Sequence, residues 1–344
     1  MQELLAILVD GTPLSREQAQ RAFEAVMAGE ATSAQTASML SLMQLRGPTA
    51  DELTGGATAM RRHMVKVQPP DGVAVVDTCG TGGWGSGFVN ISTAAGLVAA
   101  AAGRSRGMVV AKHGNRSVTS ASGSADVLEA LGVTLATDPA TLTRCLDEAG
   151  FCFCFARAHH PAMKHAAPVR QELGFRTVFN LLGPLCNPAG ATRQLLGVAS
   201  AQLGPLMVKT LQGLGSEAAM VVHSTLPDGR SMGELSNMTT GHVHELKDNQ
   251  VQRHAIDPES LGLPLGIPRS ITVGSATDSA SMIRSMLAGE HGPVRDVVCL
   301  NAAAALVVGG AAGQLRAGLD LAQQAIDDGD AQRVLDAVVK ITAG

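Results

Sequence analysis

The stretch from Asp77 to Leu131 constrains this chain more than any other part of it. An apolar run, Val73 to Val76, enters a turn with five glycines in eight residues, Gly80, Gly82, Gly83, Gly85 and Gly87. That is a strand giving way to a loop that exposes its backbone. Asn90-Ile91-Ser92-Thr93 then reads as a helix N-terminus, and the alanine-rich run from Ala94 to Ala102 has the propensity to carry the helix on. A helix opening after a glycine loop offers N–H groups and a positive dipole end to an anion, phosphate being the default. The loop fits neither G-x-G-x-x-G nor the P-loop, since no Gly-Lys-Ser/Thr follows at the required spacing. Alone, such a turn is more often only a tight turn. A second element adds weight: Lys112-His113-Gly114-Asn115-Arg116-Ser117 follows the apolar stretch Met108 to Ala111. Two strand-to-loop switches, one glycine-rich and one basic and polar, would then lie together at the carboxyl edge of a mostly parallel sheet, where such folds bind ligands.

The rest of the chain fits around that sheet. From Met1 to about His63 the pattern is helical: Glu3 to Val9, then Ser15 to Met27 opening on a Ser15…Gln18 capping box, then Thr32 to Arg46 and Thr49 to His63. The third helix puts Thr36, Met39, Leu40 and Met43 on one stripe. Four such helices have little core of their own, so their apolar faces must pack on the rest of the chain or on a second copy. After Pro69-Pro70, strand candidates at Val73–Val76, Met108–Ala111, Phe151–Phe155, Leu195–Val198, Ala219–His223 and Ser270–Val273 alternate with helices such as Ser124–Leu131, Pro139–Glu148 and Pro205–Leu214. The expected fold is α/β, a small N-terminal helical domain plus a larger domain around a central sheet.

Composition excludes several classes. With 45% hydrophobic and 16% charged residues and no uninterrupted apolar run of membrane-spanning length, a globular rather than a membrane protein is expected. The opening MQELLAILVDGTPLS lacks a basic start and a small-residue cleavage site, so no signal peptide is expected and the plain reading is a cytoplasmic enzyme. A net charge of −4, with no basic cluster beyond Arg104-Ser105-Arg106, argues against nucleic acid as a partner. The six cysteines contain no C-x-x-C pair, and Cys152 and Cys154 alternate as same-face strand residues, so buried thiols are expected. His159, His160 and His165 make a weak zinc candidate, because no cysteine or carboxylate accompanies them at zinc spacing.

GTGG, NIST, KHGNRS and SGSADVLEALG, in that order, resemble the anthranilate phosphoribosyltransferases, relatives of the pyrimidine nucleoside phosphorylases. The likeness continues through Ala158–Ala189 and Arg295–Leu306 and covers nearly the whole chain. It implies transfer of ribose 5-phosphate from phosphoribosyl pyrophosphate to the amine of anthranilate, with loss of pyrophosphate, in tryptophan biosynthesis. It also implies magnesium, a homodimer formed by a helical domain at 1–68 joined in space by about 161–187, and an α/β domain at 71–344 that binds the donor. The active site would lie in the hinged cleft between the two. In such chemistry the anomeric carbon becomes cationic while negative charge builds on the leaving pyrophosphate, so phosphate donors, metal ligands and a carboxylate clamp are needed rather than a nucleophilic triad.

Residue by residue, the resemblance places the donor on Gly80, Gly82, Gly83, Asn90, Ser92, Thr93, Lys112, Asn115, Ser117, Ser120 and Ser124, with Lys112 the fixed positive charge. Arg170, in PVRQELG, would clamp the acceptor carboxylate through its two-pronged donor, alongside Gly80, His113, Asn115 and His160. Ser92 and Glu234 would hold magnesium. Lys112 as a solvated charge, Asn90 and Ser92 as mere helix caps, and Arg170 in a surface salt bridge are the blander readings.

Four departures from the family pattern fall mainly at the donor and metal sites. Trp84 stands where GTGGDG has aspartate, and Phe88-Val89 where Thr-Phe is usual. Gly233 precedes Glu234 where an Asp-Glu pair is usual, with Asp228 a conceivable substitute ligand upstream. Residues around Arg104 to Gly107 are extra, and Arg157 replaces a proline beside the acceptor turn. These substitutions leave open a paralogue acting on another aromatic acid or sugar-phosphate donor, or a ligand-binding homologue without catalysis.

Overall fold

The computed structural model describes residues 1–83, 87–117, 122–135 and 138–344. Four helices lead: α1 (Gln2–Val9), α2 (Arg16–Met27), α3 (Ser33–Arg46) and α4 (Ala50–Arg62). The expected capping box is present, Ser15 Oγ accepting from Gln18 N at 3.3 Å while Gln18 Oε1 accepts from Ser15 N at 2.8 Å. It recurs at Thr32/Gln35 and Thr49/Glu52, so three of the four helices start on the same two reciprocal bonds. Thr36, Met39, Leu40 and Met43 are all buried, as their stripe predicts.

The sheet runs through β1 (Ala74–Asp77), β2 (Met108–Gly114), β3 (Phe151–Phe155), β4 (Arg193–Gly197), β5 (Ala218–Thr225), β6 (Ser231–Met232), β7 (Gly241–Lys247) and β8 (Gln250–Ile256). Its order is β3-β2-β1-β4-β5-β7-β8, with β6 paired to β5. From β3 to β5 the pairing is parallel; β6, β7 and β8 are antiparallel. The chain moves outward from β1 through β2 to β3, then returns to the other side of β1 with β4. The carboxyl end of β1 is therefore a topological switch point, and the glycine loop leaves from it.

Three readings of the sequence change. Ser270–Val273 is no sheet strand: Pro268 fixes a helical φ and starts a 3-10 turn, Pro268–Ile271, whose flank bridges Phe88 to Thr272 and so pairs with the exit of the glycine loop. The hairpin β7–β8 has no counterpart among the predicted strands. It is polar and rich in histidine, and its turn is made by Asp248 and Asn249, both at positive φ (50° and 58°), as a tight hairpin requires. Finally, β2 runs on through Gly114, so Lys112 and His113 stand on the strand rather than in the loop after it.

Two apolar cores result. One lies under the sheet, where α5 (Ile91–Gly103) packs on the helix Pro293–Gly309, and Ala94, Ala95, Ala302 and Ala305 of these two helices are buried in it. The other joins α1–α4 to Val178, Phe179 and Leu182 and to the helix Leu203–Gly213. The Phe23 and Phe179 rings meet edge to face there, 5.6 Å between centroids. Residues far on in the chain thus complete the helical core, and the cleft opens where the two cores face each other.

Candidate active site

A cleft of about 920 Å³ opens at the carboxyl ends of β1 and β2. Gly80, Gly82, Gly83, Asn90, Ser92, Lys112, His113, Asn115, Ser117, Ser124, Arg170 and Glu234 all line it, which brings together most of the residues that the sequence singled out. Two others stand behind the wall. Thr93 is fully buried with no partner for its hydroxyl, and His160 is buried behind His113. Ser120 and Trp84 lie outside the described residues.

Lys112 is fully buried. Its Nζ donates to Thr78 O at 2.5 Å and to Ser92 Oγ at 3.2 Å, which joins the end of β1, the start of α5 and the end of β2. Burial lowers its pKa, and the neighbouring charges of Asp77, Cys79 and Glu234 oppose that shift. Asp77, also buried, accepts from the backbone N of His113 at 3.1 Å, while its other oxygen has no partner. Burial raises its pKa against the pull of Asn187 and Lys112. Sequence reasoning missed Asp77; an acid ending a buried apolar strand was the signal.

Asn90 does not cap α5 with its side chain. Its Oδ1 accepts from Ser122 Oγ at 2.6 Å and Ser279 Oγ at 2.8 Å, tying the helix start to the serine loop and to the helix Ala276–Leu287. The serine loop is closed on itself by Asp126, from α6 (Ser124–Ala130), which accepts from Ser117 N at 3.0 Å and Gly123 N at 2.9 Å. Arg116 in turn pairs with Asp126 and Glu129 and stacks 5.8 Å from the Phe155 centroid. The motif's acids therefore build the loop rather than line it.

Glu234 is half-buried in the wall, and burial pushes its carboxyl up to about 7 against the pull of Lys112. Its main chain is clamped: Ser224 Oγ donates to Glu234 O at 2.8 Å, and Asn301 holds both Leu235 N (3.0 Å) and Leu235 O (2.8 Å). Asn301 belongs to the Arg295–Leu306 motif, so that motif supports the acid from below. The loop also lies against the end of β4, where a Cβ on Gly197 would come within 1.9 Å of Gly233 O. The carboxylate of Asp228, the conceivable substitute ligand, is taken by Arg230 at 2.8 Å, and Arg230 stacks 4.8 Å from the centroid of Phe88.

On the facing wall Arg170 forms no ion pair among the described residues. Its guanidinium stacks 5.4 Å from the Phe179 centroid, half-buried, and burial lowers its pKa. An unpaired, partly desolvated guanidinium facing a cleft is suited to a carboxylate. Beneath it, His113 and His160 approach Nε2 to Nε2 at 3.3 Å. Burial, reinforced by their mutual proximity and by His159, holds His113 well below the usual range; burial and His159 bring His160 down to about 4. The pair is neutral near pH 7. The three histidines of the zinc candidate separate: His159 bonds Val65 O at 2.9 Å, His160 meets His113, and His165 lies against Gly29. All six cysteines are buried as free thiols.

The remaining departures divide. Arg157 is exposed in the cleft wall. The extra turn at Arg104–Arg106 lies elsewhere, with Arg104 bonded to Glu148 O and Asp147 O. Among the cleft residues that were not foreseen is Arg176, whose Nη2 donates to Thr81 O and Gly82 O, each at 3.3 Å.

Comparisons with known proteins agree with this architecture. A family model described as "Glycosyl transferase family, a/b domain" matches residues 72–332, and one described as "Glycosyl transferase family, helical bundle domain" matches residues 2–64. An anthranilate phosphoribosyltransferase of Rubrobacter xylanophilus is 47% identical over 343 residues, covering 99% of this chain and 97% of its own. One from Phenylobacterium zucineum is 47% identical over 340 residues, covering 99% and 98%. Among solved structures, the enzyme of that name from Thermus thermophilus superposes with a TM-score of 0.90 at 38% identity, covering 99% of each chain. The Saccharomyces cerevisiae protein, in complex with PRPP and Mg, superposes with a TM-score of 0.87 at 24% identity, covering 99% of this chain and 97% of its own. Matched across both its parts and nearly end to end by relatives close to one half identical, the chain belongs to the anthranilate phosphoribosyltransferase family.

Proposed function

We infer that this protein is a pentosyltransferase that moves the 5-phosphoribosyl group from phosphoribosyl pyrophosphate to the amine of anthranilate and releases pyrophosphate, a step of tryptophan biosynthesis. The observation that carries the reading is the pairing of two unlike anion sites across one cleft: a glycine loop and helix start backed by buried Lys112, and facing them the unpaired guanidinium of Arg170.

In this account the donor's pyrophosphate lies along Gly80, Gly82 and Gly83, with Asn90 and Ser92 at the helix start and Asn115, Ser117 and Ser124 on the opposite loop. Lys112 offsets the charge that builds as pyrophosphate leaves, and its burial strengthens that effect. Arg170 takes the acceptor carboxylate in a two-pronged bond, and His113 and Asn115 flank the ring. Because the arylamine is neutral near pH 7, it attacks without prior loss of a proton; the new C–N bond forms as the C–O bond to pyrophosphate breaks, the electron pair leaves with pyrophosphate, and the nitrogen then gives up one proton to the departing pyrophosphate or to water. Thr93 and His160 act from behind, one in the floor and the other on the ring of His113.

Magnesium fits the donor set. Ser92 and Glu234 supply two oxygens to the cleft, and a hard ion that keeps its waters and shares substrate phosphates needs only one or two protein ligands. Among the described residues no group of three or more His, Cys, Asp or Glu forms an all-protein cage. Bound with the donor, the ion would neutralise charge on the departing pyrophosphate. Removal of magnesium with a chelator should abolish turnover, and adding it back should restore it; turnover unaffected by chelator would count against the metal.

A homodimer completes the proposal. Val9 on α1 and Leu45 on α3 are 69% and 88% exposed, large apolar side chains of the helical part that a second copy would cover. Light scattering at micromolar concentration should give twice the chain mass of 35.2 kDa, and a monomeric mass would contradict it.

A further inference from the structure

We propose that Arg176 is a positioning residue, which shapes the glycine loop for the donor's pyrophosphate and couples that loop to the segment carrying Arg170; the proposal rests on the reading above. The base of Arg176 belongs to the helical side of the cleft. Its neighbours Val178 and Phe179 are buried in the helical core, and Thr177 N is fixed by Asn180 Oδ1 at 2.9 Å. Its tip belongs to the sheet side, on the carbonyls of Thr81 and Gly82. The side chain therefore spans the cleft, and no carboxylate among the described residues pairs with it.

The geometry gives the bridge a purpose. In a trans peptide the N–H points opposite to the C=O, so fixing the carbonyls of Thr81 and Gly82 turns the N–H groups of Gly82 and Gly83 away from Arg176. A cation on the carbonyl side also polarises those peptides toward an anion on the N–H side. The fit is close. A Cβ on Gly83 would come within 1.4 Å of Arg176 Nη1, so a side chain there would push the guanidinium aside, and Gly83 sits at φ +91°, a backbone conformation that favours glycine. Arg170 and Arg176 leave the same short segment on either side of the helix stop at Gly174 (φ +66°). Order in the donor loop and placement of the acceptor clamp are thus transmitted through one piece of chain.

The test is donor binding and steady-state kinetics of Arg176→Met, Gly83→Ala and the double variant, with Mg²⁺ present. Arg176 is exposed and outside both cores, so its replacement leaves the fold intact. Calorimetry should show phosphoribosyl pyrophosphate binding to Arg176→Met weakened roughly tenfold or more, the scale of losing a charge-assisted bonding group. The double variant should bind no more than about threefold worse than the weaker single, because both changes break one arrangement. Losses that multiply in the double variant would mean that Arg176 acts independently of the loop and would overturn the proposal. So would Arg176→Met binding the donor as well as the unaltered protein does. An unaltered protein that binds no donor would overturn the functional reading and this one together.

Discussion

Lys112 and Arg170 show how environment assigns opposite tasks to two cations in one cleft. Lys112 is enclosed and commits its donors to Thr78 and Ser92, so it acts as a fixed field rather than a mobile hand. Arg170 keeps its fork open over Phe179. Arg170→Ala should therefore lower kcat/KM for the acceptor on the order of 10- to 100-fold, the worth of a hydrogen-bonded charge pair, with donor affinity unchanged. A larger effect on the donor than on the acceptor would misassign it. The buried histidines give a pH prediction. His160 has an ordinary value of 6.5 and is brought down to about 4 in the fold. The unfolded chain thus binds a proton that the folded one refuses between those values, and stability falls as pH drops from about 6.5 towards 4. Thermal midpoints of the unliganded protein should decline over that window, and His160→Asn should flatten the decline. An equally steep decline in the variant would place its origin elsewhere.

At the level of elements, the site depends on helices that never enter it. The helix Pro293–Gly309 reaches the Glu234 loop through Asn301, which holds Leu235 by both its backbone groups. Asn301→Ala removes both bonds and leaves buried groups unpaired, at a cost of about 1–3 kcal/mol in stability. It should also raise the magnesium concentration needed for half-maximal rate, whereas an unchanged requirement would disconnect the helix from the metal site. Much of the architecture was legible in the sequence because the local signals were strong. The capping box and the Thr36–Met43 stripe fix the helical start, and five of the six predicted strands form. What escaped was set by tertiary context. The β7–β8 hairpin is polar on an edge, so it carries no apolar alternation to read, and Ser270–Val273 has a strand's composition but is turned by Pro268 and captured by the glycine loop. Asn301 and Arg176 were illegible for the same reason, each acting on a partner at least 66 residues away, whereas Asp77, whose partner is 36 residues away, left the one trace of an acid ending an apolar strand.

For the whole molecule, function follows from how two cores share one chain. The segment with Val178, Phe179 and Leu182 leaves the sheet region to finish the helical core, and in passing it sets Arg170 and Arg176 opposite the glycine loop. The departures from the family pattern sit on this cleft at Phe88, Gly233 and Arg157, and the structure accommodates two of them, with Phe88 stacked on Arg230 and Gly233 packed on β4. They leave Lys112, Glu234 and Arg170 in place, so the transfer reaction should survive them. The most direct measurement is to mix the purified protein with magnesium, phosphoribosyl pyrophosphate and anthranilate and to follow the loss of anthranilate fluorescence, with Arg170→Ala alongside. Turnover on the order of 1 per second or faster, lost in the variant, is the expected result. Folded protein that leaves anthranilate unchanged, or a variant that turns over as fast as the unaltered chain, would contradict the account.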